Sequence, residues 1–262
     1  MSKALTLWWW KSRNNFGDIL NPNVVSYVSG RKVVWRPRDK AEMIAIGSNM
    51  SNIRDRIVAS DNPLYVWGSG VMRPLSRDFV NRCAFSLVRG PITSCLIGID
   101  DLPFGDPGLL IAEALDFTTS SKKRYKYGVV PHWTHFEMPE LRELVDALPN
   151  ATLINPMTDD VAQTLTEIAD CDVILASSLH GLIIADALEI PNIWLDTGEI
   201  NQFTRLKFLD YGLSVGREFD RPISMEEAFQ MTGKDEINTD YFGNLEGVKT
   251  AIKTSFPEEL RA

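Results

Sequence analysis

His180 stands at the turn of Asp172–Pro191, DVILASSLHGLIIADALEIP, where a short apolar run gives way to a helical pattern. Val173–Ala176 reads as a buried strand and Ser177-Ser178 as a tight turn. Leu182, Ile183, Ala187 and Ile190 then recur at helical spacing from a start near Leu179. In open α/β sheets, ligands gather where strands end and helices begin. Backbone N–H groups at a helix start also attract anions. An imidazole there is a candidate acid–base centre, although a histidine in that position also serves as a cap or packing residue. The helix start disfavours the imidazolium, while a nearby anion favours it. A full charge outweighs the partial charge of a helix end, so His180 is expected to become more basic when an anion binds.

Other polar motifs also follow apolar runs. In Asn14-Asn15-Phe16-Gly17-Asp18, Gly17 permits close backbone approach, and Asp18 either caps a helix or accepts from a sugar hydroxyl. Gly68-Ser69-Gly70 is a short glycine turn after a strand. Arg89, in Val88-Arg89-Gly90-Pro91, can pair with a carboxylate or phosphate, or bridge two elements. His132 and Trp133 follow Val130-Pro131, where His132 meets substrate or holds a loop; His135 reads as a loop histidine. Arg205 and Lys207, two apart in Thr204–Tyr211, do not share a helical face, so one can enter a cleft while the other is solvated. Trp8, Trp9, Trp10, Trp67 and Trp133 are candidates to present an aromatic face to a ligand. Strand alternation turns at least half of them elsewhere, and Trp133 is preferred because it follows His132 on a loop.

The elements that must position these residues alternate throughout. Strands are expected at Ala4–Trp10, Lys32–Trp35, Glu42–Ile46, Leu64–Trp67 and Ala84–Val88. Helices are expected at Ile19–Ser29, with Pro22 in its first turn, at Pro91–Ile97 and at Asp106–Leu115. Thr118–Lys126, TTSSKKRYK, reads as a linker. Beyond it, strands at Tyr127–Val130, Thr152–Ile154, Val173–Ala176 and Asn192–Leu195 alternate with helices at Pro139–Ala147, Val161–Ala169, the His180 segment and Asn201–Gly212. Helical patches follow around Met225–Met231 and Leu245–Thr254. The reading is an α/β chain of two Rossmann-like domains facing a cleft, 1–119 and 120–262. No GxGxxG, Walker, HExxH or GxSxG motif occurs, and no internal sequence repeat.

The chain has 262 residues, 44% of them apolar and 24% charged, within the ordinary range for a globular protein. Its formal net charge of −8 argues against broad nucleic-acid binding or adhesion to an anionic membrane, but not against a local cationic pocket. No apolar run approaches the length of about 18 residues needed to span a bilayer. The Trp-rich start reads as a first strand rather than a signal peptide. Cys83, Cys95 and Cys171 lack metal-ligand spacing, so reduced thiols and a cytoplasmic setting are expected, with Cys95 and Cys171 packed as small apolar residues. No metal is expected.

Taken together, NNFGDILN, GSG at 68–70, VRGPIT at 88–93, GDPGLL at 105–110, VVPHW at 129–133, ASSLHGLIIADALEIP at 176–191 and LKFLDY at 206–211 resemble the polysaccharide pyruvyl transferase family, in the family's order. The short chain and the compact NFGDILNP start look most like its exopolysaccharide ketal-forming (ExoV-like) branch. The resemblance implies a GT-B-like fold, with the first domain on the acceptor side and contributing to the donor site, and the second carrying His180 on the donor side. It implies transfer of the pyruvyl group of phosphoenolpyruvate, a donor substrate rather than a cofactor, onto two hydroxyls of a saccharide, free or lipid-linked. Any approach to the membrane would be made through that acceptor. His180 is the implied acid, and Arg89 and Lys207 the implied donor-binding cations. Ser178, Leu179, Asn15, Gly17, Asp18, Gly68, Ser69, Gly70, His132, Trp133 and Arg205 complete the expected binding set. The chain departs from many relatives at Ser178, where they place an arginine; Arg205 or backbone N–H groups are candidates to replace that charge. Two rival readings are a nucleotide-sugar glycosyltransferase of the same architecture and a non-catalytic sugar- or anion-binding protein.

Overall fold

A computed structural model describes residues 3–12, 15–53, 62–119, 122–198, 202–219 and 221–262, with no side-chain description for 52 and 202–204. Asn14, part of the first polar motif, lies outside the described residues, as does Asn201 at the expected start of the Lys207 helix.

The first half runs β1 (Leu5–Trp8), α1 (Phe16–Ser29), β2 (Val33–Trp35), β3 (Met43–Ile44), β4 (Leu64–Trp67), β5 (Cys83–Leu87), α2 (Pro91–Ile97) and α3 (Ile111–Ala114). The second runs β6 (Tyr125–Val130), α4 (Pro139–Ala147), β7 (Ala151–Leu153), α5 (Val161–Ala169), β8 (Cys171–Ala176), α6 (Leu179–Ala187), β9 (Asn192–Asp196), α7 (Gln202–Val215), β10 (Ile223–Ser224), α8 (Met225–Phe229) and α9 (Phe242–Thr254). Each half builds a five-stranded sheet, in the orders β2-β1-β3-β4-β5 and β10-β9-β8-β6-β7. The pairings between named strands are all parallel. Read from its own first strand, each sheet has the same order, 2-1-3-4-5, so the two Rossmann-like units share a topology without a shared sequence repeat. In both, the order reverses beside the first strand, and ligands bind outside the carboxyl ends of the strands at such a reversal.

Alternation along the strands assigns residues to different cores. Leu5 and Leu7 of β1, Val130 of β6, and Ile174 and Ala176 of β8 enter one large cluster shared by both halves. Trp8, Ile44 and Val66 belong to a separate cluster in the first unit, and Tyr127, Val129, Val173 and Leu175 to one in the second. In the shared core, α1 meets α5 and α6. Fully buried Leu20 and Ile183 each contribute about 1.5–3 kcal/mol through burial. The last helix and the residues after it also cross back: Trp67 Nε1 donates to the Ile252 carbonyl at 3.1 Å, and Ala262 N to the Ser29 carbonyl at 2.9 Å.

Several expected details change. Helix α1 begins at Phe16, so Pro22 lies inside the helix rather than in its first turn. Proline cannot donate to the carbonyl four residues back. Here that carbonyl, on Asp18, accepts instead from the Asn21 side chain at 3.0 Å. Asn21 also exchanges hydrogen bonds with Ile46, which pins the helix to the chain leaving β3. The expected helix at Asp106–Leu115 is split into a 3-10 turn at Pro107–Leu110 and α3, because Asp106 caps the turn through Gly108 N. Cys95 is exposed rather than packed: α2 buries Thr93, Ser94 and Ile97 and turns Cys95 to solvent, whereas Cys171 is buried as expected. The short edge strand β10, which pairs with β9, was not anticipated.

Candidate active site

The two sheet reversals face one cavity of about 350 Å³, within the range of small-molecule sites. Trp10, Asn15 and Asp18 reach it from the segment after β1, and Gly47, Ser48 and Asn49 from the loop after β3. His132 and Trp133 come from the end of β6, and Ser178, Leu179 and His180 from the end of β8. Arg89, after β5, and Lys207, on α7, complete the polar lining.

His180 occupies the first turn of α6 against Gly17, the second residue of α1. A side chain at Gly17 would run into the imidazole, so this position must stay bare for α1 and α6 to meet. His180 Nε2 is buried, with no hydrogen-bond partner among the described residues. Burial, then the charges of Lys207 and Arg89, push its pKa down to about 3, so the ring is neutral near pH 7 without a ligand. The same effects of burial and Lys207, with His135, bring His132 to about 3. His132 Nδ1 lies 2.7 Å from Thr134 Oγ1, and its backbone N–H donates to Ser177 Oγ.

The two cations are held differently. Arg89 is fully buried, and its Nε donates to Asp210 Oδ2 at 3.1 Å. Its terminal nitrogens donate to Ser48 Oγ at 2.8 Å and the Val71 carbonyl at 2.7 Å. Asp210 also accepts from Thr93 N and Thr93 Oγ1, at 2.9 and 2.6 Å. Gly90 lies against the backbone of α7, where a side chain would collide with the Asp210 carbonyl. This buried ion pair therefore joins the two units. Lys207, one helical turn before Asp210, makes no hydrogen bond or ion pair among the described residues; its ammonium lies 5.3 Å from the Phe208 ring centre. Burial and the Arg89 charge lower its pKa to about 8, partly opposed by Asp18.

Asp18 is the carboxylate of the cavity. Its Oδ2 accepts from Asn15 Nδ2 at 2.7 Å, and burial raises its pKa to about 6 against the pull of Asn15 and Lys207. Also lining the cavity, Trp10 and Trp133, one from each unit, are tilted 35° with ring centres 5.8 Å apart.

Some expected binding residues stand behind the wall rather than on it. Ser69 Oγ accepts from Asn49 N and donates to the Gly47 carbonyl, fixing the loop after β3. Gly70 lies against the Arg89 guanidinium, and Gly68 against Pro107. Arg205 points away: it is half-exposed and pairs with Asp196 at 2.7 Å. Lys207 is thus the member of that pair that reaches the cavity. His135 is buried and bonded to Thr197. Of the tryptophans, Trp10 joins Trp133 in lining the cavity, while Trp8, Trp9 and Trp67 are core residues. Among the described residues no group of three His, Cys, Asp or Glu side chains is placed to hold a metal ion.

The sequence model of the family described as polysaccharide pyruvyl transferase matches residues 13–199. The chain belongs to the polysaccharide pyruvyl transferase family. The succinoglycan biosynthesis protein ExoV of Rhizobium meliloti is 26% identical over 214 residues, covering 80% of this chain and 64% of that protein. An uncharacterized protein of Acanthamoeba polyphaga mimivirus is 28% identical over 144 residues, covering 52% of this chain and 49% of its own. The chain therefore spans about half to two thirds of the length of these curated relatives. A functionally uncharacterised protein from Klebsiella pneumoniae shares the fold with a TM-score of 0.50 at 14% identity, over 80% of this chain and 87% of that one.

The pyruvyl transferase motifs in the sequence marked Arg89, Lys207 and His180, but not the residues that hold them. Asp210 was inside the LKFLDY motif, three residues after Lys207, a spacing that places both on one helical face. Ser48 and Asn49 followed a strand in a Gly-Ser-Asn turn, the same kind of signal that marked the other loops. Asn21 closes the NNFGDILN motif, but the motif does not reveal its role, which arises from the carbonyl that Pro22 leaves free.

Proposed function

We propose that the protein transfers the pyruvyl group of phosphoenolpyruvate onto two hydroxyls of one saccharide, closing a cyclic ketal in exopolysaccharide biosynthesis. The observation that carries this reading is the meeting of Arg89, Lys207 and His180 around one cavity, with the buried His180 Nε2 left without a partner among the described residues. Phosphoenolpyruvate brings a carboxylate and a phosphate, and the two cations supply a local positive field in an otherwise acidic chain. Ser178 makes no side-chain cap bond at the start of α6. Its small side chain leaves that helix start open to an anion, which offsets the absence of the arginine that many members of the family place there.

In the proposed reaction, His180 gives a proton to the methylene carbon and C2 becomes electron-poor. A first hydroxyl oxygen adds to C2 and loses its proton. The C2–O bond to phosphate then breaks with its electron pair, the second hydroxyl oxygen takes that place, and its proton leaves with the phosphate. Protonating His180 requires the bound anion, since the ring is neutral without it. Trp10 and Trp133 offer aromatic faces for the acceptor sugar, free or lipid-linked; among the described residues no helix is long and apolar enough to cross a membrane.

The test is phosphate release from phosphoenolpyruvate with galactose-, glucose- and mannose-containing acceptors, for wild type and His180→Ala. Acceptor-dependent release that collapses in the variant is expected. Neither release nor donor binding would overturn the reading and favour a nucleotide-sugar donor.

A further inference from the structure

Asp18 is out of place in a cavity that serves only to hold an anion. It lies nine-tenths buried on the first turn of α1, and Asn15 occupies Oδ2. No hydrogen bond reaches Oδ1 among the described residues. The pinning of Asn21 to the Asp18 carbonyl and to Ile46 holds this turn in place. Its charged neighbour is Lys207 of α7, and Arg89, after β5, lines the same cavity. The imidazoles of His180 and His132 face the same space. A carboxylate here repels a donor bearing carboxylate and phosphate, so its use must lie with the neutral substrate.

We propose that Asp18 is the base that takes the proton from the first acceptor hydroxyl as its oxygen attacks C2. This rests on the pyruvyl-transfer reading. The O–H bond breaks, its electron pair forms the new C2–O bond, and the proton moves to Asp18. His180 has meanwhile given its own proton to the methylene carbon. Because Gly17 sets the Asp18 turn directly against the His180 ring, the proton on Asp18 can return to His180 and restore both groups. One hydroxyl proton thereby ends on the new methyl group and the other leaves with phosphate, so the reaction closes without net proton release.

The experiment measures kcat by phosphate release and donor Kd by calorimetry with phosphoenolpyruvate, for wild type, Asp18→Asn and Asp18→Ala. Asp18→Asn should lower kcat by about 10²–10⁴-fold, the usual span for losing a general base, while donor Kd stays equal or tightens. Added formate should restore part of the Asp18→Ala rate, because a free carboxylate can enter the space left behind. A kcat within about threefold of wild type would overturn the assignment, as this is far below a general-base effect. Loss of donor binding with kcat kept, or no rescue by formate, would also overturn it. If wild type itself neither binds phosphoenolpyruvate nor releases phosphate, the pyruvyl-transfer reading fails first, and the role of Asp18 fails with it.

Discussion

Two buried polar clusters in this protein use similar groups to opposite ends. Around Asp186, every strong acceptor has a donor: Tyr241 OH and Asn192 Nδ2 reach Oδ1 and Tyr211 OH reaches Oδ2, each at 2.6 Å, with the Arg217 guanidinium 3.9 Å away. Around Asp18 the cluster is left open, with a lysine free of ion pairs among the described residues and an imidazole nitrogen without a partner. Burying polar groups without partners costs free energy. The satisfied cluster joins α6, α7, β9 and the segment before α9, and the open one keeps its unused capacity for substrate. Arg89 stands between them, since it is paired with Asp210 and still lines the cavity.

The largest test of this contrast is His180→Gln. It should reduce kcat by about 10²–10⁴-fold while leaving the urea midpoint unchanged, as expected when a general acid is removed from a site with nothing to hold together. Near-normal turnover at saturating donor would remove His180 from the chemistry. Asp186→Ala should do the reverse, costing about 3–5 kcal/mol in urea unfolding by leaving Arg217 buried and uncompensated, with kcat per folded molecule kept. A stability loss below about 1 kcal/mol would mean the cluster is not the brace it resembles.

Lys207→Met should weaken phosphoenolpyruvate binding by about 1.5–3 kcal/mol, the value of a hydrogen bond to a charged group, without loss of stability. Arg89→Ala should cost about 2–5 kcal/mol of donor binding, yet also destabilise the fold because Asp210 loses its partner. If the two variants behave alike in unfolding, the distinction between a held and a free cation is wrong.

The smallest effect is in pH. Between about 6.5 and 3, the unfolded chain protonates His132 and His180 while the folded chain does not, so their contribution to stability is lost as pH falls through that window. Asp18 and Asp106 act in the opposite sense between 3.8 and about 6, where the folded chain keeps the proton and rising pH costs stability. Plots of Tm against pH should therefore fall less steeply below 6.5 for His180→Gln than for wild type, and parallel curves would contradict the burial of that ring. Donor binding near pH 6.5 should take up protons in wild type and fewer in the variant, measured by calorimetry in buffers of different ionisation enthalpy.

The alternating pattern was legible where apolar periods were long. Pro91–Ile97, Pro139–Ala147, Val161–Ala169 and Leu64–Trp67 appear with the expected bounds. Places on the cavity wall were legible for Arg89, His180 and Asp18, because polar residues that interrupt apolar runs mark strand ends; Lys207 lines the same cavity from within α7. What escaped were side chains whose meaning depends on a distant partner. Asn21 becomes important through a missing proline N–H and Ile46, and Asp210 through a guanidinium 121 positions away. Such long-range pairings leave no local period. The shared 2-1-3-4-5 order was likewise hidden, because strand adjacency is not written in strand composition.

The buried bridge between Arg89 and Asp210 sets a rule for making hybrids. Its two ends lie on opposite sides of Thr118–Lys126, and Thr93 and Gly90 on the first side are shaped around the second. A chimera that exchanges the second unit for that of a relative would have to bring a matching carboxylate and an equally close helix backbone. Otherwise it would inherit a stranded guanidinium at the centre of its cleft, so parentage at this one contact should decide which hybrids fold.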